Sequence, residues 1–345
     1  MLLLAAAPWY PDKTRLLVYR DDSGREVPIR TRQDWLVRRA HILENMQEVM
    51  GPLPGADRRP PLQVRTLESV RETHYTRSKI LLLVEADDWL PAWLLVPHAV
   101  RPADAADRSR AAAVLVLHQT TRVGKDEPAG LAGNPDLHIA RHLAERGYVT
   151  LAPDYPGYGE YRCDPYARGY ASATMKGIWN HMRCIDYLQS LPEVDGSRIG
   201  AIGHSLGGHN SIFVAAFDER IACVVSNCGF TSFPRYMAGN LAGWSHQGYM
   251  PRIRDRYQLQ PERMPFDFPE VVAALAPRPF LACAPVRDDN FDVQGVRDCL
   301  AAAREVYALL GVPERLAAEY PECGHQFPEA VRKAAYAWLD RWLQR

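Results

Sequence analysis

Residues 198–209 read Arg-Ile-Gly-Ala-Ile-Gly-His-Ser-Leu-Gly-Gly-His, and no other stretch constrains the chain so tightly. An apolar, β-type run breaks into a glycine-flanked serine and continues into a segment compatible with a helix. That pattern predicts a sharp strand-to-helix turn with Ser205 at its apex. Gly203 and Gly207 remove the Cβ atoms that would collide there, and Gly208 lets the helix lie close to the sheet. The turn aims Oγ of Ser205 into solvent. It also sets the serine at a helix N-terminus, where free N–H groups and the helix dipole favour negative charge. Small-residue turns are common, so the five-residue pattern alone is weak. The strand before it and the helix after it carry the reading of Ser205 as a nucleophile.

A nucleophilic serine needs a base, and the base needs an orienting carboxylate. On a turn of this kind the chain order is Ser, then Asp or Glu, then His, each on a loop after a later strand. Residues 278–285 form a short apolar strand ending in proline, and the loop 286–292 that follows holds Asp288, Asp289 and Asp292. Asp288 comes first after the strand, nearest the sheet edge, and is the expected partner; Phe291 can anchor the loop by burying its ring. Asp289 and Asp292 remain open, as solvated charges or, for Asp292, as the cap of the next helix. A last strand at 315–320 leads into Pro-Glu-Cys-Gly-His-Gln-Phe-Pro, just before a C-terminal helix over 330–343. His325 stands there, where the general base belongs.

An acyl-transfer site also needs donors for the oxyanion. The run Ala111–Leu117 is continuously apolar, the mark of a buried parallel strand, and it leads into His118-Gln119-Thr120. The backbone N–H groups of Leu206 and Thr120 are the expected pair. Gln119 either adds a side-chain donor and narrows the acyl pocket or points away.

These segments, with Gly124-Lys125-Asp126-Glu127-Pro128 and Ala152-Pro153-Asp154-Tyr155-Pro156-Gly157-Tyr158-Gly159-Glu160, resemble the α/β-hydrolase superfamily. More narrowly, they resemble its dienelactone-hydrolase and acetyl-xylan-esterase-like branch. The resemblance runs from about Leu62 to the C-terminus. It implies an α/β fold, a mostly parallel sheet with helices on both faces, and hydrolysis without a cofactor. Dienelactone hydrolases carry a cysteine nucleophile; Ser205 here implies an ordinary serine esterase instead. Substrate does not follow from the resemblance, because members differ widely.

Composition narrows the partners. Lys plus Arg and Asp plus Glu number 41 each, for zero formal charge, so there is no electrostatic footprint for nucleic acid. The seven cysteines form no Cys-x-x-Cys pair, which argues against a disulfide framework or a zinc site. Cys223 and Cys283 read as buried free thiols. The apolar start, 1–7, lacks the basic flank of a signal peptide, and no run reaches transmembrane length. A cytoplasmic enzyme is the expectation, with homo-oligomerisation left open.

Residues 1–60 read as an N-terminal extension, with an amphipathic helix over 33–50 whose stripe is Leu36, Ala40, Leu43, Met46 and Met50, flanked by Trp35, Ile42 and Val49. Core packing is its expected role. Residues 61–345 read as the α/β-hydrolase domain. Early antiparallel strands fill 62–96, a polar loop 101–110, and alternating strands and helices follow from Ala111. The long aromatic segment 229–269 is expected to act as a lid or pocket wall. Most of its aromatics should pack the segment itself, with Trp244, His246 and Tyr249 facing substrate beside Gln119 and Tyr158. The expected activity is hydrolysis of small-molecule or acylated-carbohydrate esters through a metal-free Ser205–His325–Asp288 triad. A peptidase or amidase using the same triad, and a non-catalytic binder, are the alternatives.

Overall fold

The computed structural model describes residues 7–99 and 110–344. The start of the chain at 1–6 and the polar loop at 101–109 lie outside the described residues. The chain begins with a small hairpin of β1 (Val18–Arg20) and β2 (Glu26–Pro28), strands too short to leave a pattern in the sequence. Helix α1 (Arg32–Met50) follows. A reciprocal capping box of Thr31 and Asp34 starts it, and Gly51, at φ 93°, ends it.

The expected helix is there, and Met46 and Met50 of its expected stripe are buried with Leu43 packed against the core, but the stripe is shifted at its start. Leu36 and Ala40 face solvent, while Trp35, Arg38, Ile42, Asn45, Met46 and Val49 are buried. The inner face also carries a charged residue. Arg38 is fully buried; its guanidinium lies 3.1 Å from the ring centroid of Tyr10 and 2.6 Å from Glu270 Oε1. An ion pair closed by a distant carboxylate leaves no trace in local apolar spacing.

Three antiparallel strands come next: β3 (Val64–Arg71), β4 (Tyr75–Glu85) and β5 (Asp88–Pro97). From β6 (Ala111–Leu117) the chain alternates: α2 (Ile139–Glu145), β7 (Val149–Pro153), α3 (Ala173–Ser190), β8 (Val194–His204), α4 (Leu206–Phe217) and β9 (Ile221–Asn227). Two short helices, α5 (Arg252–Asp255) and α6 (Phe268–Ala273), lie in the long aromatic segment and at its end. Then come β10 (Phe280–Cys283), α7 (Val293–Leu309), β11 (Leu316–Glu319) and α8 (Glu329–Leu343).

Nine strands form one sheet in the order β11-β10-β9-β8-β6-β7-β5-β4-β3, and the six from β11 to β7 run parallel. Alternation along β6 explains why helices cover both faces. Ala113, Leu115 and Leu117 enter one core with α1, α3, α4 and α7, while Ala112, Val114 and Val116 enter a second with α2 and α8. The strand order reverses around β8, with β6 and β7 to one side and β9 to β11 on the other. Open α/β sheets place ligands at such a switch point, beyond the carboxyl ends of the strands. The six parallel strands deliver His118, Tyr155, Ser205, Cys228, Asp288 and His325 to loops at that edge.

The segment 229–269 is packed down rather than standing away from the body. Phe230, Phe233, Tyr236, Leu241, Trp244, Met250, Ile253, Met264, Phe266 and Phe268 all join the larger core.

Candidate active site

Ser205 sits between β8 and α4 at φ 54° and ψ −114°, a strained conformation for a residue with a side chain. Two glycines make the turn feasible. A Cβ on Gly207 would lie 1.9 Å from the Leu117 carbonyl oxygen, and one on Gly203 would lie 2.3 Å from Gly207 backbone atoms. The Ser205 N–H donates to the Asn227 carbonyl at 2.9 Å, which ties the apex to the end of β9. Leu206 opens α4, and the first N–H groups of a helix have no intrahelical acceptor.

Asp288 and His325 meet. Nδ1 of His325 lies 3.0 Å from each carboxylate oxygen of Asp288. The Asp288 side chain is 1% exposed and that of His325 23%, so the carboxylate is enclosed while the imidazole keeps an open edge. Burial would raise the Asp288 pKa. The hydrogen bond from His325, its charge and the N–H groups of Asn290 and Phe291 outweigh that and hold the carboxyl below its ordinary value. Phe291 is buried, with its ring 5.9 Å from that of His325. Asp289 is exposed. Asp292 caps α7, accepting the Gly295 N–H at 2.9 Å.

Three neighbours of this pair carry no obvious signal in the sequence. The His204 ring lies 4.8 Å from the His325 ring. Burial first, then the proximity of His325, pushes the His204 pKa down to about 3, so it stays neutral. Nδ2 of Asn227 reaches His204 Nδ1 at 2.6 Å and the Gln326 carbonyl at 3.1 Å. Asn227 thereby links the serine turn to the histidine loop. Cys228 donates to the same carbonyl at 3.5 Å, and its donor atom lies within 4.8 Å of those of Asp288 and His325. Burial and the Asp288 carboxylate push the thiol well above its usual range. His118, at the end of β6, is buried.

The expected pocket residues separate into two groups. Thr120, Tyr158 and Tyr249 come together: the Thr120 hydroxyl lies 3.4 Å from the Tyr249 hydroxyl, and both tyrosines pack beside Leu206 and Tyr155. Burial raises the pKa of both phenols, against a hydrogen bond with Thr120, so both stay protonated. Trp244 and Gln119 do not line an open wall. Trp244 is 2% exposed, with its ring against His209, Tyr249 and Phe291. It backs Tyr249 because the whole segment collapses into the core. His246 is exposed, set edge-on to Tyr249 at 4.3 Å. The Gln119 amide donates to Glu127 Oε1 at 3.0 Å and is committed to that carboxylate.

A model of the prolyl oligopeptidase family matches residues 136–345, which take in Ser205, Asp288 and His325. The chain belongs to that family. It is a serine hydrolase of the α/β-hydrolase fold. YtaP of Bacillus subtilis (strain 168), a protein named as a hydrolase and nothing narrower, is 27% identical over 317 residues, covering 88% of this chain and all of that one. A 4-O-methyl-glucuronoyl methylesterase of Wolfiporia cocos (strain MD-104) is 24% identical over 239 residues, 63% of this chain and 56% of that one. Among solved structures, a glucuronoyl esterase from Solibacter usitatus superposes with a TM-score of 0.72 over 98% of this chain and 99% of that one. At 20% identity it shows the shared fold. Among the described residues, no helix is long and apolar enough to cross a membrane.

Proposed function

We propose that the protein is a serine esterase acting on esters of short carboxylic acids, acylated or esterified carbohydrates among them. The observation that carries this reading is the paired contact of Asp288 with His325 Nδ1 at the same sheet edge as the strained Ser205. Nδ1 held this way leaves Nε2 as the basic nitrogen. His325 takes the Oγ proton as Ser205 attacks the ester carbonyl, and the oxyanion rests on the N–H groups of Leu206 and Thr120. His325 then protonates the leaving alcohol, and water releases the acid in a second round. Asp288 keeps the imidazole in the productive tautomer and stabilises its charged form.

Ester chemistry is favoured over peptide chemistry by the side chains beside Leu206. Thr120, Tyr158 and Tyr249 carry neutral hydroxyl groups, suited to an uncharged, oxygen-rich substrate. They offer no carboxylate to a peptide amino terminus. The Wolfiporia methylesterase supports an ester of a sugar acid as one substrate class. The family's name supports peptide hydrolysis as a second reading. A panel of p-nitrophenyl esters, acetylated xylo-oligosaccharides, a glucuronate methyl ester and dipeptidyl p-nitroanilides separates the two. Turnover of the esters, lost in Ser205→Ala by at least ~10⁴-fold, is the expected result. Efficient cleavage of the anilides with slow cleavage of every ester would overturn it.

A further inference from the structure

Cys228 follows β9 directly, and its thiol is buried beside Asp288 and His325. It has no part in the proton transfers. Its Sγ, a carboxylate oxygen of Asp288 and a ring nitrogen of His325 all lie within 4.8 Å of one another. The Asp288 oxygens are each 3.0 Å from His325 Nδ1. Donors around a tetrahedral zinc ion stand roughly 3.3–3.6 Å apart, given bond lengths of about 2.0–2.3 Å. The carboxylate and the imidazole therefore need only part slightly, and the thiol needs to close in by at most about 1 Å. The three side chains come from the loops after β9, β10 and β11, so cysteine spacing in the sequence gives no sign of them.

The donor set has a preference. A thiolate with an imidazole selects zinc or cadmium, whereas magnesium and calcium take oxygen ligands. Charge balances as well. One carboxylate and one thiolate neutralise a divalent cation, and the imidazole binds as a neutral ligand, so the enclosed site carries no net charge. The Gln326 carbonyl, 3.5 Å from Cys228 Sγ, stands beside it as a further oxygen. The loop 321–326 is irregular and partly exposed, which gives the ion a short way in.

We infer that Cys228, Asp288 and His325 form an inhibitory binding site for a thiophilic divalent cation, zinc above all. The inhibition follows from one nitrogen. On binding, Cys228 gives up its thiol proton to solvent. The metal takes the Nδ1 position, and the proton of the neutral imidazole passes to Nε2, the nitrogen that would take the Ser205 proton. An Nε2 that already carries a proton is no base. The ion thus switches off turnover without touching Ser205. The effect on rate rests on the serine-esterase reading above, whereas binding of the metal stands independently of it.

The test adds Zn²⁺ to the purified enzyme and follows p-nitrophenyl acetate turnover, each variant referred to its own metal-free rate. The native enzyme should lose at least about tenfold in rate at saturating Zn²⁺ and recover when a chelator is added. Mg²⁺ and Ca²⁺ at the same concentration should leave the rate unchanged. Cys228→Ser should raise the half-inhibiting Zn²⁺ concentration by at least ~10²-fold, since even the partners behind a metal ligand are worth about 10–10²-fold in affinity. Cys323→Ser removes the half-buried thiol of the histidine loop and should leave that concentration within about threefold. Equal inhibition of native and Cys228→Ser enzyme, inhibition lost in Cys323→Ser instead, equal inhibition by Ca²⁺, or no recovery with chelator would each overturn the inference. Binding is read without turnover: Cd²⁺ added to Ser205→Ala should produce a thiolate-to-cadmium charge-transfer band that is missing when Cys228→Ser is added to that variant. An active Ser205→Ala sinks the esterase reading while the band still judges the site; an inactive one with no band sinks the site alone. Should Cys228→Ser not fold, nitrogen NMR on the native protein decides: Zn²⁺ should move the His325 proton from Nδ1 to Nε2, and a proton kept on Nδ1 overturns the inference.

Discussion

Asp288 meets His325 with both carboxylate oxygens, each 3.0 Å from Nδ1, from a side chain that is almost wholly enclosed. The same Oδ1 accepts the N–H groups of Asn290 and Phe291 at 2.9 and 3.1 Å. The loop after β10 is thus wound around its own first carboxylate. The imidazole is offered a charged acceptor that cannot rotate away. Asp288→Asn should lower kcat by about 10³–10⁴-fold, because an amide can favour the wrong imidazole tautomer. Asp289→Asn should stay within about tenfold of the native rate, since its side chain lies in solvent. Ester turnover on purified, folded variants is the measurement.

Asp292 tests the same loop by a different route. Its carboxylate caps α7 rather than facing His325. Asp292→Ala should cost about 1 kcal/mol of stability, the usual value of such a cap, and leave kcat within about tenfold. Urea denaturation and ester turnover on one sample separate the two effects.

Much of this site can be read before the structure, for identifiable reasons. Ala111–Leu117 is buried at every position, so a parallel strand appears as an unbroken apolar run. Ser205 and its glycines are local, since the collisions they avoid lie within one turn or on the adjacent strand. Asp288 and His325 follow from chain order after two short strands. What stays hidden depends on contacts between distant residues. Arg38 is buried only because Glu270 comes to it. Asn227 and Cys228 lie 98 or more residues from the Gln326 carbonyl they share. Trp244 is misplaced for the same reason: composition marks an aromatic segment, and only packing decides which rings face the core.

Acid should unfold the protein through its buried histidines. Burial pushes His181, His204 and His209 down to about 3 and His142 to about 4. An unfolded histidine titrates near ~6.5. Between those values the unfolded chain binds more protons than the folded one, so stability falls as pH falls. The contribution is fully present above about pH 6.5 and is lost progressively toward about pH 3, each group adding at most ~1.4 kcal/mol per pH unit. Urea midpoints measured from pH 7 to pH 4.5 should therefore decline. His181→Asn, free of this titration, should show a shallower decline; an unchanged slope would remove His181 from the account.

The Arg38–Glu270 pair should behave as a buried ion pair, fully enclosed on both sides. Arg38→Met removes the partner of an enclosed carboxylate and should cost about 3–5 kcal/mol. Adding Glu270→Gln should recover much of that loss. The amide removes the charge while keeping an oxygen for the Asp267 N–H, which Glu270 accepts at 3.0 Å. A double variant no more stable than Arg38→Met alone would show that packing of the guanidinium on Tyr10, not charge, is what the single variant loses.

The last prediction concerns the size of the acyl group. Tyr158 and Tyr249 pack against Leu206, and the Tyr249 hydroxyl lies 3.4 Å from that of Thr120; the N–H groups of Leu206 and Thr120 are the proposed oxyanion donors. Tyr249 cannot easily retreat, because the buried rings of Trp244 and His209 stand behind it. A rigid aromatic wall beside the reacting carbonyl admits a short acyl chain and resists a long one. Each methylene beyond a full pocket costs about 1–3 kcal/mol, roughly tenfold or more in rate. The kcat/KM profile on p-nitrophenyl esters should peak at two to four carbons (~2–4) and fall steeply by about eight. Tyr249→Ala opens the wall and should move the peak to longer chains, while Tyr249→Phe keeps the ring and should leave the peak in place. A native profile that rises toward long chains, or a peak indifferent to Tyr249→Ala, would show that the acyl group lies elsewhere and that these tyrosines face the leaving alcohol.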